Sequence, residues 1–262
     1  MSLLISGDLR LRNTWQPMDT DAAAYITAVE TADGQALEEK TKIAIDNFVL
    51  GCKADGIWDA IKASCILAGA RTLAGALIPL VGTAPTNNGF IGIGTDYVRQ
   101  TGLVGDGTKY LDSNFTYTGS FQNNSHTAIN LTEQGSLKPV EFIGNGNTSG
   151  STGFTRAGNG TEYIFRQVSA SFAVLSNSSI GFLGASRNLS TSFLYRVGKA
   201  NYSSNDTSAT PLNLSHFVFD GRQAGRTSNA RLAFYSIGES LDLALLDARV
   251  TDLINAFAAA IP

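Results

Sequence analysis

Gly102-Leu-Val-Gly-Asp-Gly-Thr-Lys-Tyr-Leu-Asp-Ser-Asn114 decides how this 262-residue chain is read. Its glycines and Asp106 make a turn, and Tyr110-Leu111 opens a strand. From there to the late 230s, short apolar runs alternate with turns rich in Asn, Ser, Thr and Gly. In His126 to Glu133, Ile129 and Leu131 share one face. The alternation recurs at Val140 and Phe142, at Tyr163 and Phe165, at Phe172 and Val174, at Phe193, Tyr195 and Val197, and at Phe217 and Phe219. Arg231 to Ile237 reads as the last strand. Asn145-Gly146, Asn159-Gly160 and Asp220-Gly221 tolerate positive φ and read as turns. Strands at this spacing predict a mainly β chain folded as an antiparallel β-sandwich (jelly roll), not an α/β fold.

Upstream the period changes. Residues 1–17 read as an extended leader, with Leu9 and Leu11 alternating against Arg10 and Arg12. Asp19 caps a helix whose stripe is Ala22, Tyr25, Ile26 and Val29, stopped at Asp33-Gly34. A second helix carries Leu37, Ala44, Ile45, Phe48 and Val49, with Glu38 and Lys42 at i,i+4, and ends near Gly51. Gly56 to Lys62 is a short third helical segment. Ser64 to Ala70 and Ala76 to Val81 read as buried strands. Downstream, Ser240 caps a final helix lined by Leu243, Leu246, Val250, Leu253, Ile254 and Phe257. The expected division is an N-terminal extended and helical attachment segment over 1–61, outside the sandwich core, and a sandwich domain with its terminal helix over 62–262. The apolar stripes of the first two helices lack a partner within so short a segment, which predicts self-association, as a trimer or another homo-oligomer.

A net charge of −3 gives no field that would draw nucleic acid or anionic lipid, and no apolar run approaches a membrane span. Met1 to Asp8 lacks the basic start of a signal peptide, so synthesis without one is expected. The Asn-x-Ser/Thr sequons follow from composition. Cys52 and Cys65 read as buried thiols. His126 and His216, each inside an alternating strand, have no companion at metal-ligand spacing. Glycoside hydrolysis needs two carboxylates across the scissile bond, and Glu133, Glu141 and Glu162 each stand alone. No catalytic, metal-binding or cofactor-binding residue is therefore expected. Calcium is the one open alternative: Asp106, Asp112, Asn205 and Asp206 carry the oxygen donors it prefers, though Asp106-Gly107 reads equally well as a turn. Ligand-binding candidates lie in two polar stretches, Gly144 to Gly160 and Lys199 to Thr210. Asn147 and Asn159 offer amides, and Phe154 and Tyr202 aromatic platforms for a sugar.

Asp55-Gly-Ile-Trp-Asp-Ala-Ile-Lys62, Thr101 to Asn114, Gln122-Asn-Asn-Ser-His126, Phe182-Leu-Gly-Ala-Ser-Arg187 and Arg231 to Asp242 occur in that order. Together they resemble tailed-bacteriophage virion proteins with a concanavalin-like (laminin-G-like) sandwich, over roughly residues 35–260. Gly107-Thr108-Lys109 departs from the pattern, where an extra Ser is common, and shortens one turn. The resemblance implies a non-enzymatic virion component, and transfers no ligand-binding residue. The expected role is a tail-fibre or baseplate adhesin that binds a host surface glycan, with other virion proteins as partners and the virion surface as location. The alternative is an architectural capsid decoration or head fibre, and a glycan hydrolase ranks below both.

Overall fold

Two antiparallel sheets stack face to face, and among the described residues helices cover the outside of one of them. The computed structural model describes residues 15–177 and 179–261, so the expected leader lies, up to residue 14, outside the described residues. In chain order the first half contains α1 (Thr20–Asp33), α2 (Glu39–Ala54), β1 (Ile61–Ile66), the single turn α3 (Leu73–Ala76), β2 (Pro79–Val81), β3 (Thr86–Asn88), β4 (Tyr97–Val98), β5 (Gly102–Val104), β6 (Tyr110–Thr116) and β7 (Ser125–Glu133). Then come β8 (Val140–Gly144), β9 (Ser151–Arg156), β10 (Tyr163–Ser169), β11 (Ala173–Leu175), β12 (Gly181–Arg187), β13 (Phe193–Val197), β14 (Ala200–Ser204), β15 (Ser215–Val218), β16 (Arg231–Gly238) and α4 (Leu243–Ala260).

The first sheet runs β14-β13-β12-β7-β16-β1-β2, with β5 against β16 and β4 against β5; the second runs β11-β10-β9-β8-β15-β6-β3. The expected mainly β, concanavalin-like sandwich with N-terminal helices and a C-terminal helix is what the chain builds. In the first sheet β16 is buried on both faces and β7 nearly so, because α2 and α4 roof its outside. In the second, β10 alternates from Tyr163 to Arg166, with Tyr163 and Phe165 inward and Ile164 and Arg166 outward. Among the described residues, no helix packs over that outward face.

The first two helices do not stand apart from the sandwich core. Phe48 meets Phe234 of β16 edge-on with centroids 5.7 Å apart, and one continuous apolar cluster runs from Ala22 through both sheets to Ile261. Burying a Phe or Ile side chain in it contributes about 1.5–3 kcal/mol. The stripes read as free for self-association are thus covered by the chain's own sheet and by α4. Gly51 is no stop signal: α2 continues to Ala54, and a Cβ at Gly51 would lie 2.7 Å from Arg249 Cδ of α4. Arg249 reaches past it to Asp55 with hydrogen bonds of 2.7 and 2.9 Å. The expected third helix shrinks to one 3-10 turn, Trp58–Ala60, because Ile61 already belongs to β1.

Asp19 caps α1 as expected, its Oδ1 accepting from the amides of Asp21 and Ala22. Asp242, not Ser240, caps α4; the Ser240 amide and hydroxyl both donate to Asn124 Oδ1. Near Asp220-Gly221 the positive φ angles fall on Phe219 (72°) and Arg222 (63°) instead. Phe172 and Val174 point out of the sandwich. Val174 pairs with the outward Ile164, so Ala173 takes the inward place.

Among the described residues, no helix is long and apolar enough to cross a membrane. Arg187 of β12 is wholly buried and bridges the sheets, donating to the carbonyls of Gln167, Leu189, Ser192 and Asp206. Both histidines are wholly buried, and burial lowers each to about 4. His126 lies between the Glu239 carbonyl (2.5 Å) and Ser236 Oγ (2.7 Å).

Candidate functional site

Glu141 is the anomaly on the open face of the second sheet. It sits in β8 between the buried Val140 and Phe142, and a bulge shifts the β8–β9 register between Glu141 and Ile143. The Glu141 amide donates to the Arg226 carbonyl at 2.8 Å, and Glu141 pairs with Thr227. Residues 219–227 therefore fold over the carboxyl. Only 2% of Glu141 remains exposed. Its Oε1 accepts from Gln223 Nε2, whereas Oε2, equally buried, has no hydrogen-bond partner among the described residues. Burial is the main reason its carboxyl rises to about 7, and Asp220 adds to the rise. The Arg226 and Arg166 charges oppose it. Gly221 is required here: an added Cβ would coincide with Glu141 Oε2.

A pocket of about 200 Å³ opens beside this carboxyl. Gly153, Thr155, Ile164 and Arg166 form its floor, the outward residues of β9 and β10. Asn147, from the β8–β9 turn, donates to Gln223 Oε1 at 2.8 Å and continues the chain of amides to Glu141. Phe172 makes the wall, 46% exposed, with the Arg166 guanidinium 4.9 Å from its ring centroid. The volume is below that of drug-sized sites and on the scale of one sugar ring. A half-exposed aromatic ring beside amides, a hydroxyl and guanidinium groups can hold the apolar and polar parts of a saccharide.

The four sequence-predicted ligand residues are dispersed. Asn147 lines the pocket. Phe154 does not form a platform: it is 1% exposed, on the inward face of β9, 5.1 Å from Phe165. The stretch read as a polar loop holds the end of β8 and all of β9 between two turns, and the first turn is closed by Asn145 Oδ1 accepting from the Thr152 amide at 2.8 Å. Asn159 is at the far end of β9, where its Oδ1 accepts from Thr161 N at 3.0 Å in the hairpin tip. Tyr202 belongs to β14 of the other sheet and stacks on Tyr195, which stacks on Phe165; this is packing between sheets.

Asp106 closes its own turn through the Thr108 and Lys109 amides and pairs with Lys109, holding its carboxyl at about 2. Asp112 lies 3.7 Å from Arg222, and Asp206 accepts from Ser204 Oγ at 2.5 Å. Among the described residues, no cluster of three His, Cys, Asp or Glu side chains is placed to hold a metal ion. Sequence reasoning passed over Arg166, Gln223 and Arg226 and placed Phe172 in the core. The available signal was an acid between apolar neighbours in β8, matched by the Gly- and Arg-containing run Gly221 to Arg226.

A second hollow, about 470 Å³, lies between α2 and α4 beside Asn47, Arg249 and Asp252. Its Arg249 is already bound to Asp55.

No protein-family model matches the chain, and no curated protein sequence matches it. Solved structures do. The binding domain of botulinum neurotoxin serotype D aligns over 77% of this chain and 52% of its own, at a TM-score of 0.51 and 7% identity. A mutant Trypanosoma rangeli sialidase displaying trans-sialidase activity aligns over 80% and 39%, with a TM-score of 0.48 and 9% identity. Domain 4 of a GH43 extracellular arabinanase from Geobacillus stearothermophilus, in complex with arabinotriose, aligns over 64% and 82%, with a TM-score of 0.38 and 11% identity. The chain spans about half the length of the neurotoxin domain. At such identities the likeness establishes the β-sandwich and no more.

Proposed function

We propose that this chain is a glycan-binding adhesin of a tailed-phage virion, held on a tail fibre or baseplate and reading the host surface through the Glu141 pocket. The observation that carries this reading is the buried, partnerless Oε2 of Glu141 in a pocket walled by the half-exposed Phe172. A buried polar atom without a partner costs about 1–3 kcal/mol, and such a cost is expected where a ligand supplies the missing bond. Asn147, Gln223 and Thr155 offer further donors and acceptors to hydroxyls. The ordered motifs from Asp55 to Asp242 support the virion assignment. The division of faces supports a receptor role: among the described residues, helices occupy one sheet and none lies over the other. Binding, not hydrolysis, is the reading, because the pocket lining holds one carboxyl where glycoside cleavage takes two.

The test is binding of the full chain to host cells and to a glycan array, beside Phe172→Ala and Gln223→Ala. Retained circular dichroism with at least tenfold weaker binding of both variants is expected. A folded chain that binds neither surface nor glycan at high concentration would put the architectural role in its place.

A further inference from the structure

Among the described residues, the guanidinium groups of the Glu141 pocket differ from those of the other arginines in making no hydrogen bond or ion pair. Arg166 rests on the Phe172 ring, and Arg226 stands in the covering loop. Among the described residues, neither side chain meets a hydrogen-bond acceptor, nor a carboxylate at ion-pair distance. Every other arginine among those residues is tied to an acceptor, as Arg187 is to four carbonyls and Arg196 is to Asp247. Two free guanidinium groups thus line the same hollow as the one buried, partnerless carboxyl oxygen. The other charged groups nearby are spoken for. Asp220 accepts from the Arg222 amide and Thr227 Oγ1, and Asp206, on the Arg166 side, accepts from Ser204 Oγ.

We propose that the pocket takes an anionic substituent of a saccharide, a carboxylate or a sulfate, gripped by Arg166 and Arg226 and hydrogen-bonded by Oε2 of Glu141. This rests on the glycan-binding reading and names its ligand class. A guanidinium presents paired donors in a plane, which match two oxygens of an oxyanion. The sugar ring behind the anion lies against Phe172. An ionised Glu141 would repel the ligand, whereas the neutral acid donates to it. Burial already brings this carboxyl to about 7, so the donor form is populated near neutrality. An arriving anion favours the proton, and by linkage the proton favours the anion. Affinity therefore falls as pH rises through 7. Facing Glu141, Arg226 and Asp220 come from the loop and Arg166 from β10. Both arginines stay charged throughout that range, and the Asp220 oxygens are already bonded.

The experiment uses the full chain on an array of neutral, uronate-containing and sulfated glycans at pH 6 and pH 8, with Glu141→Gln, Arg166→Gln and Arg226→Gln alongside. Expected are at least tenfold stronger binding of the anionic glycans than of their neutral counterparts and about tenfold loss from pH 6 to pH 8 in the parent chain. That pH dependence should be flat in Glu141→Gln, and each arginine variant should lose the preference for anions. The uronate and sulfate arms tell which anion is preferred. Equal binding of neutral and anionic glycans overturns this proposal and leaves the glycan-binding reading standing. Anion preference that survives both arginine replacements, or a pH dependence that survives in Glu141→Gln, also overturns it. No glycan bound by the folded chain overturns both readings.

Discussion

Glu141→Gln should make this protein more stable, and only at neutral and alkaline pH. Burial holds the Glu141 carboxyl at about 7, against the usual 4.5 of a Glu exposed in the unfolded chain. Between those values the folded protein keeps a proton that the unfolded chain has released. Stability is therefore greatest below about 4.5 and declines as pH rises to about 7, after which the loss is complete. Moving a carboxyl across that interval corresponds to about 3 kcal/mol, an upper bound because the loop and the two arginines can relax around the ionised form. Glutamine has nearly the same shape, cannot ionise, and can still accept from Gln223. Urea unfolding at pH 4.5, 6, 7 and 8 measures the difference between the two proteins. The gap should open by about 1–3 kcal/mol from pH 4.5 to 8, or several degrees in Tm for a chain of this size. Parallel curves would refute the reasoning, because they would mean that Glu141 is ionised and fully compensated within the fold.

Other outcomes follow from the same interior. His126 and His216, buried and lowered to about 4 from the usual 6.5, are neutral in the fold while their unfolded counterparts bind protons. Each should cost about 3 kcal/mol as pH falls from about 6.5 to 4, so unfolding titrations in Glu141→Gln, which lacks the opposing gain, should show the steeper acid loss. Gly221→Ala should destabilise by about 1–3 kcal/mol through the collision with Glu141 Oε2. Glu141→Ala should relieve it, and a double-mutant cycle reads the coupling. Arg187→Met should cost more than about 2 kcal/mol in denaturant unfolding, because it strands the carbonyls of Gln167 in β10 and of Ser192 in the turn before β13. Phe154→Ala should cost about 3–5 kcal/mol in the same measurement, as a core truncation does.

How much of this was legible depends on how local each cause is. The turn before Tyr110, the period-two strands, the Asp19 cap and the stripe of α4 were all readable, because each is set by residues a few positions apart. Gly51 was misread as a stop because its use, close approach to Arg249, involves a partner almost two hundred positions away. Which face of β11 is inward was also invisible, since pairing with β10, not its own alternation, points Phe172 and Val174 outward. The helices looked unpartnered for the same reason: the sheet they cover is assembled from strands spread along the whole chain.

The candidate site is the extreme case. The order of polar and apolar residues alone determined a β-sandwich with helical ends, because the pleat and the helix turn impose their periods directly on sequence. Only tertiary structure made Glu141 a site. The bulge in β8, the crossing of residues 219–227 and the outward faces of β9 and β10 bring the carboxyl, two guanidinium groups and an aromatic face into one hollow. Burial is a property of everything packed around an atom: Val140 and Phe142 mark Glu141 as an acid in an apolar run, but only the packed chain fixes which groups surround it.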